Sequence, residues 1–171
     1  MSLASMPQEN NLHLLSDKWV LWAHLPHDTK WTIESYIKLS SIDSIEECIE
    51  LMQYIKDNIV KNCMLFFMRD GINPMWEDKK NINGGCFSFR IPNKQVYSTW
   101  NNICYMLIGN TLSDSDDFMS KINGITISPK KTFCIIKIWT SSCDCMDPGK
   151  INITDGISLQ SAIFKKHNNK L

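Results

Sequence analysis

Residues 63–91 read CMLFFMRDGINPMWEDKKNINGGCFSFRI. Two runs that suit strands flank a polar loop. Cys63–Met68 is short and apolar, which predicts a buried strand. Cys86–Ile91 alternates apolar and polar residues, the period of a strand with one covered face. Between them, Asn73-Pro74 and Asn83-Gly84-Gly85 mark turns. The loop opening at Asp70 is too short for the helical crossover that parallel neighbours need, and so are the loops around Pro26 and Pro129. Neighbouring strands are therefore expected to pair antiparallel. An antiparallel sheet with helices on one face is the economical α+β solution.

The flanking chain fits this frame. Trp19–Leu25 and Thr32–Leu39 read as strands. Ser44-Ile45-Glu46-Glu47 fits a capping box, and Ile45, Cys48, Ile49, Met52 and Ile55 follow at helical spacing. Lys94 to about Asn110 carries Val96, Trp100, Ile103 and Leu107 on one helical face, with Gly109 placed to end it. Lys121–Ile127 and Phe133–Thr140 read as strands joined by Ser128-Pro129-Lys130-Lys131. A last helix is expected over Ser158–Lys166. The order is β-β-α-β-β-α-β-β-α. Residues 1–12 read as a flexible polar tail, and 13–171 as one domain.

Composition excludes some functions. Lys plus Arg and Asp plus Glu number 18 each, so no basic face marks a non-specific binder of long nucleic acid. Recognition of a single nucleotide by local cations stays open. The seven cysteines are odd in number, and no basic, apolar leader opens the chain. This predicts a reducing, cytoplasmic setting. No apolar run is long enough to span a bilayer.

Six tryptophans are many for 171 residues, and Trp31 and Trp76 fall in loops. Each could fold back over the edge of the core, the common fate of a single tryptophan. As a pair, they could sandwich a flat ring, with base stacking worth roughly 1–3 kcal/mol. A cationic ring gains a further ~0.5–2 kcal/mol from the indole faces. Glu77 follows Trp76 directly. Its carboxylate can accept both N–H donors on one edge of guanine, a pair that adenine lacks; alone, it could equally be a solvated loop charge. Lys130 and Lys131 lie in a turn. Lys137 shares a strand face with Trp139, where it could hold phosphate or simply meet solvent. Enzyme signatures are incomplete. Cys143-Asp144-Cys145 lacks a second ligand pair, and His24 and His27 have no paired nucleophile. Asp114, Asp116 and Asp117 lack a calcium-loop pattern, and no phosphate-cradling loop occurs.

Together these segments resemble the eukaryotic translation initiation factor 4E family. The motifs are WVLW at 19–22, TKW at 29–31, GINPMWEDKKNINGG at 71–85, MLIG at 106–109 and IKIWT at 136–140. They stand in that family's order and at similar spacing, from about His13 to the last helix. The resemblance implies a single curved antiparallel sheet with helices on its convex face and a cap pocket on its concave face. It implies an mRNA cap-binding protein without cofactor or metal. Trp31 and Trp76 would stack on the 7-methylguanine, Glu77 would bond its edge, and Trp139 would touch the methyl group. Lys130 falls where the family places a phosphate-binding arginine.

The chain departs from the pattern in places. The family's second phosphate lysine aligns with Ile135, and Lys137 shares its parity and can substitute. A further family arginine aligns with Cys86. On the convex face, the resemblance implies a surface for a scaffold factor (4G-like) or another partner with a helical motif. There Ile49 stands for a tryptophan and Asn101-Asn102 for a Leu-Glu pair, while His13 and Ile45 fit and Leu14 replaces a proline. The cap-side loop near the C-terminus is expected to be reduced or absent. Three functions follow as expectations: recruitment of capped mRNA for initiation, a cap-binding repressor or sequestering homologue, and a cap-modifying or cap-hydrolysing enzyme. The last lacks a catalytic constellation.

Overall fold

A computed structural model describes residues 12–152 and 154–168. The expected N-terminal tail falls outside them, apart from its last residue. Seven strands form one open antiparallel sheet in the order β2-β1-β3-β5-β6-β4-β7. They are β1 (Leu14–His24), β2 (Tyr36–Ser44), β3 (Met64–Arg69), β4 (Gly85–Pro92), β5 (Ile122–Pro129), β6 (Phe133–Thr140) and β7 (Ile163–Lys166). Four helices accompany them: α1 (Ile45–Tyr54), α2 (Asp57–Asn62), α3 (Val96–Ile108) and α4 (Asp116–Lys121).

The expected antiparallel pairing holds for β1 with β2 and for β5 with β6. It fails for β3 and β4, because β5 and β6 lie between them. β3 is instead a central strand. Leu65, Phe66, Phe67 and Met68 are all buried, so the strand is covered on both faces and sits in the middle of the sheet. Its two edges are taken by β1 and β5. The loop over 70–84 therefore crosses one end of the sheet rather than closing a hairpin.

Parity along the strands divides the apolar residues into two clusters. The main core lies between the sheet and the helices. It joins Leu21, Leu65, Phe67, Phe87, Phe89, Ile125 and Ile138 to Trp100, Ile103 and Leu107 of α3. A smaller cluster on the other face holds Phe66, Met68, Ile72, Cys86 and Trp139, with Trp22, Tyr36 and Met64 against it.

Helix ends follow local chemistry. The Ser44 hydroxyl accepts the Glu47 N–H at 3.3 Å, as a capping serine should. The Glu47 carboxylate reaches back to the Asp43 N–H at 2.8 Å, one residue before the expected partner. β2 begins at Tyr36, later than expected, because Ile33–Ser35 forms a 3-10 turn. The short helices α2 and α4 were not anticipated. α4 starts on the Ser115 hydroxyl and takes Lys121 from the expected strand.

The expected last helix is a correction. Leu159–Ser161 forms a 3-10 turn and Ile163–Lys166 forms β7. A segment this short gains little as an isolated helix, whereas β4 offers an open edge. β7 pairs there from Gly85↔Lys166 to Ser88↔Ile163, and Phe164 packs on Phe87 at 4.7 Å between ring centres. A Cβ at Gly85 would meet the Phe164 ring at 2.5 Å and the Lys165 carbonyl at 2.6 Å. One at Gly84 would collide with the Thr140 carbonyl. The paired glycines thus let three chain segments approach closely, a role beyond the turn that their sequence suggests.

Candidate functional site

On the face away from the helices, a cavity of about 340 Å³ opens over the smaller cluster. It is lined by the indoles of Trp31 and Trp76, by Tyr36, Met64, Phe66 and Trp139, and by Lys137, Lys165, Lys166 and His167. Trp31 is 52% exposed and Trp76 43%, so neither indole is used up as core. The structure therefore brings Trp31, Trp76, Trp139 and Lys137 together around one space. The Trp139 indole N–H donates to the Thr126 hydroxyl at 3.2 Å, which fixes its ring in the wall.

Trp31 is held by a residue whose sequence context suggests only an incomplete catalyst. His24, 1% exposed, stacks on the indole with ring centres 4.1 Å apart and planes 5° from parallel. Its Nε2–H donates to the Lys30 carbonyl at 2.7 Å, pinning the loop just before Trp31. Tyr36 meets both rings edge-on. One indole face is thus covered, leaving the other for a ligand. Replacing His24 by alanine removes a stack worth about 0.5–1.5 kcal/mol and frees the loop. We expect a loss of roughly twofold to tenfold in affinity for a stacking nucleotide, largely restored by His24→Phe, in fluorescence titrations.

The loop over 70–84 explains its own composition. The Asp78 carboxylate accepts the Asn73 N–H at 3.0 Å and the Lys80 N–H at 2.8 Å. The Asn81 amide, wholly buried, donates to the carbonyls of Asn73 at 3.1 Å and Met75 at 2.8 Å. Its carbonyl oxygen accepts from the Asn123 amide at 2.8 Å. Asp78 and Asn81 therefore build the loop, which frees the neighbouring Trp76 and Glu77 for other uses.

Glu77 is exposed and lines a shallow cleft beside the cavity, which Trp31 also borders. Its charge reaches the cavity wall. The Tyr36 phenol is pushed up to about 12, mainly by burial and next by the Glu77 carboxylate. Lys130 and Lys131 sit exposed in the β5–β6 turn and do not line the cavity. Instead, the lysines that join Lys137 come from β7. Their sequence signal was hidden by reading that segment as a helix. Among the described residues, no group of three or more His, Cys, Asp or Glu side chains could hold a metal ion.

The family model for eukaryotic initiation factor 4E matches residues 14–170. The chain belongs to the eukaryotic initiation factor 4E family. It is 29% identical to human eukaryotic translation initiation factor 4E over 145 residues, 81% of this chain and 65% of the human one. It is 31% identical to the Candida glabrata factor over 140 residues, 77% of this chain and 65% of that one. The chain thus matches just under two thirds of the length of these curated relatives. Among solved structures, its fold is similar to a Caenorhabditis elegans factor 4E-3 in complex with the 4E-binding protein Mextli and a cap analog. That match has a TM-score of 0.76 and 20% identity, covering 91% of this chain and 93% of that one.

The helix-bearing face of this 4E-family chain carries the other anticipated residues. Ile45 and Ile49 of α1 are exposed, with Tyr105 of α3 also exposed. The Ile45 N–H donates to the His13 carbonyl at 2.9 Å, and His13 Nδ1 lies 2.6 Å from the Glu46 carboxylate, so His13 is fastened to the start of α1. Asn101 is half-buried, and the Asn102 amide donates to the Thr154 hydroxyl at 3.2 Å. No helix among the described residues is long and apolar enough to cross a membrane.

Proposed function

We propose that this protein binds the 7-methylguanosine 5′ cap of mRNA and acts in translation initiation, without catalysing a reaction. One observation carries the reading: two half-exposed indoles, Trp31 and Trp76, line a single cavity in a chain of the 4E family. The 7-methylguanine slots between them. Trp139 lies against its methyl group from the cavity wall, and Glu77 accepts the N1 and N2 hydrogens from the rim. Methylation makes the base cationic, so indole faces and a carboxylate favour it over plain guanine. The seven cysteines are free, which suits a reducing cytoplasm.

The test is a titration followed by tryptophan fluorescence. Addition of 7-methyl-GTP is expected to quench emission far more strongly than GTP at the same concentration, because a charged ring stacks on two indoles. Equal quenching by both would remove the cap from this reading.

Recruitment of mRNA would use the face with His13, Ile45 and Ile49, through a scaffold of the 4G type bearing a helical motif. A second reading, a cap-binding repressor or sequestering protein, draws on the neutral Asn101-Asn102 pair, one member of which is already bonded to Thr154. Capture of the capped-mRNA complex by scaffold-motif peptides supports recruitment; failure to capture it favours sequestration.

A further inference from the structure

We propose that the phosphates of the ligand rest on the C-terminal strand, in an anion seat formed by Lys137 of β6, Lys165 of β7 and the His167 imidazole. This rests on the cap-binding reading above and assigns the charged half of that ligand to residues of this chain.

The sheet register brings the lysines together. Lys137 pairs with Ser88 and Lys165 pairs with Cys86, two residues along the same strand. Paired residues share a face, and so do residues two apart, so both lysines stand on the cavity side with β4 between them. Cys86 senses both. Burial pushes its thiol up, and Lys137 and Lys165 each pull it back down. Among the described residues, the titratable groups lining the cavity are Tyr36, Cys86, Lys137, Lys165, Lys166 and His167, with no carboxylate among them. Aromatic rings for a base and cations for its phosphates thus line one space.

His167 ties the C-terminal strand to the loop over 70–84. Its backbone N–H donates to the Gly84 carbonyl at 2.9 Å, and its Nδ1–H donates to the Asn81 carbonyl at 2.8 Å. Both acceptors belong to the loop that carries Trp76 and Glu77. The ring lies 4.5 Å from the Trp139 ring, and its Nε2 is buried without a hydrogen-bond partner. With Nδ1 donating, a neutral ring leaves Nε2 as a bare acceptor, and the Lys137 charge acts on the ring. Burial first, then Lys137, hold its pKa below the ordinary histidine value. A phosphate arriving beside it reverses that balance. Nε2 takes a proton from solvent and becomes a second donor, so binding is accompanied by proton uptake. The Lys130-Lys131 turn, outside the cavity lining, has no such convergence.

The test compares 7-methyl-GTP with 7-methylguanosine, and GTP with guanosine, on the full chain. The readout is the ratio of triphosphate to nucleoside affinity. Lys165→Gln is expected to reduce that ratio roughly tenfold and to lower the slope of log affinity against log salt by about one. Lys165→Arg should recover most of the ratio, and Lys130→Gln should reduce it less than Lys165→Gln. Calorimetry in two buffers of different ionisation enthalpy should register proton uptake for 7-methyl-GTP near neutral pH, lost in His167→Gln. An unchanged ratio in Lys165→Gln, or a larger fall in Lys130→Gln, overturns the seat. If methylated and plain bases bind equally, the cap reading fails while the triphosphate ratio still decides the seat. If no nucleotide binds, both fall.

Discussion

Glu77→Ala is expected to weaken 7-methyl-GTP binding by at least about tenfold, a loss of ~1.4 kcal/mol or more. The guanine edge presents two parallel N–H donors, and a carboxylate accepts both. Hydrogen bonds to a charged group contribute about 1.5–3 kcal/mol, so removing the fork should exceed the tenfold threshold. The side chain is exposed and forms no part of the hydrogen-bonded frame of its loop, which Asp78 and Asn81 supply. The melting temperature should therefore barely move. Glu77→Gln separates charge from shape: it keeps one acceptor and the same length, and its affinity should fall between wild type and alanine. A second readout needs no ligand. The Glu77 charge helps hold the Tyr36 phenol near 12, after burial, so either substitution should let Tyr36 ionise at lower pH in an ultraviolet titration. Unchanged cap affinity in Glu77→Ala would take the residue out of the site.

What the sequence revealed, and what it hid, divides along physical lines. Local chemistry was readable. Ser44 capped its helix, Gly109 ended α3, and the alternation of β4 and β6 placed Trp139 and Lys137 on one face. Loop tryptophans were readable as candidates for holding a ligand, because a place in a polar loop conflicts with the ordinary fate of an indole. Non-local facts were hidden. Nothing in Met64–Arg69 alone says that β5 rather than β4 becomes its neighbour; its four consecutive buried residues report coverage on both faces, not by whom. The C-terminal segment misled because Ile163 and Phe164 fit either period over so short a run, and the open edge of β4 decided for a strand. That one error concealed Lys165 and His167. His24 was visible as a residue but not as a support, since its stacking on Trp31 depends on the turn at Pro26 bringing the chain back over it.

Asn81→Ala should be the most damaging single polar substitution in the loop, for stability and binding together. The side chain is wholly buried and satisfies two backbone carbonyls, Asn73 and Met75, while accepting from Asn123. Alanine leaves both carbonyls without this donor. The Asn123 amide keeps its bond to the Lys80 carbonyl, so the main penalty falls on Asn73 and Met75. Each carbonyl keeps a backbone donor, the Met75 N–H on Asn73 and the Asp78 N–H on Met75, so the loss is that of two hydrogen bonds at about 0.5–1.5 kcal/mol each, roughly 1–3 kcal/mol together. For a chain of this size each kcal/mol lowers Tm by about 2–4 °C, so melting should fall by about 2–12 °C in calorimetry. Binding should suffer beyond this global effect. Met75 and Asn73 directly precede Trp76, so an unanchored loop loses the indole's position even in molecules that remain folded. Below the melting transition, cap affinity should therefore drop by more than the small unfolded fraction can explain. Asn81→Asp tests the cause: it keeps an acceptor for Asn123 but loses both donated bonds, and it should behave like alanine. Near-native melting and affinity in Asn81→Asp would mean that the backbone donors already on these carbonyls suffice and that the loop is held by its glycine-paired end instead.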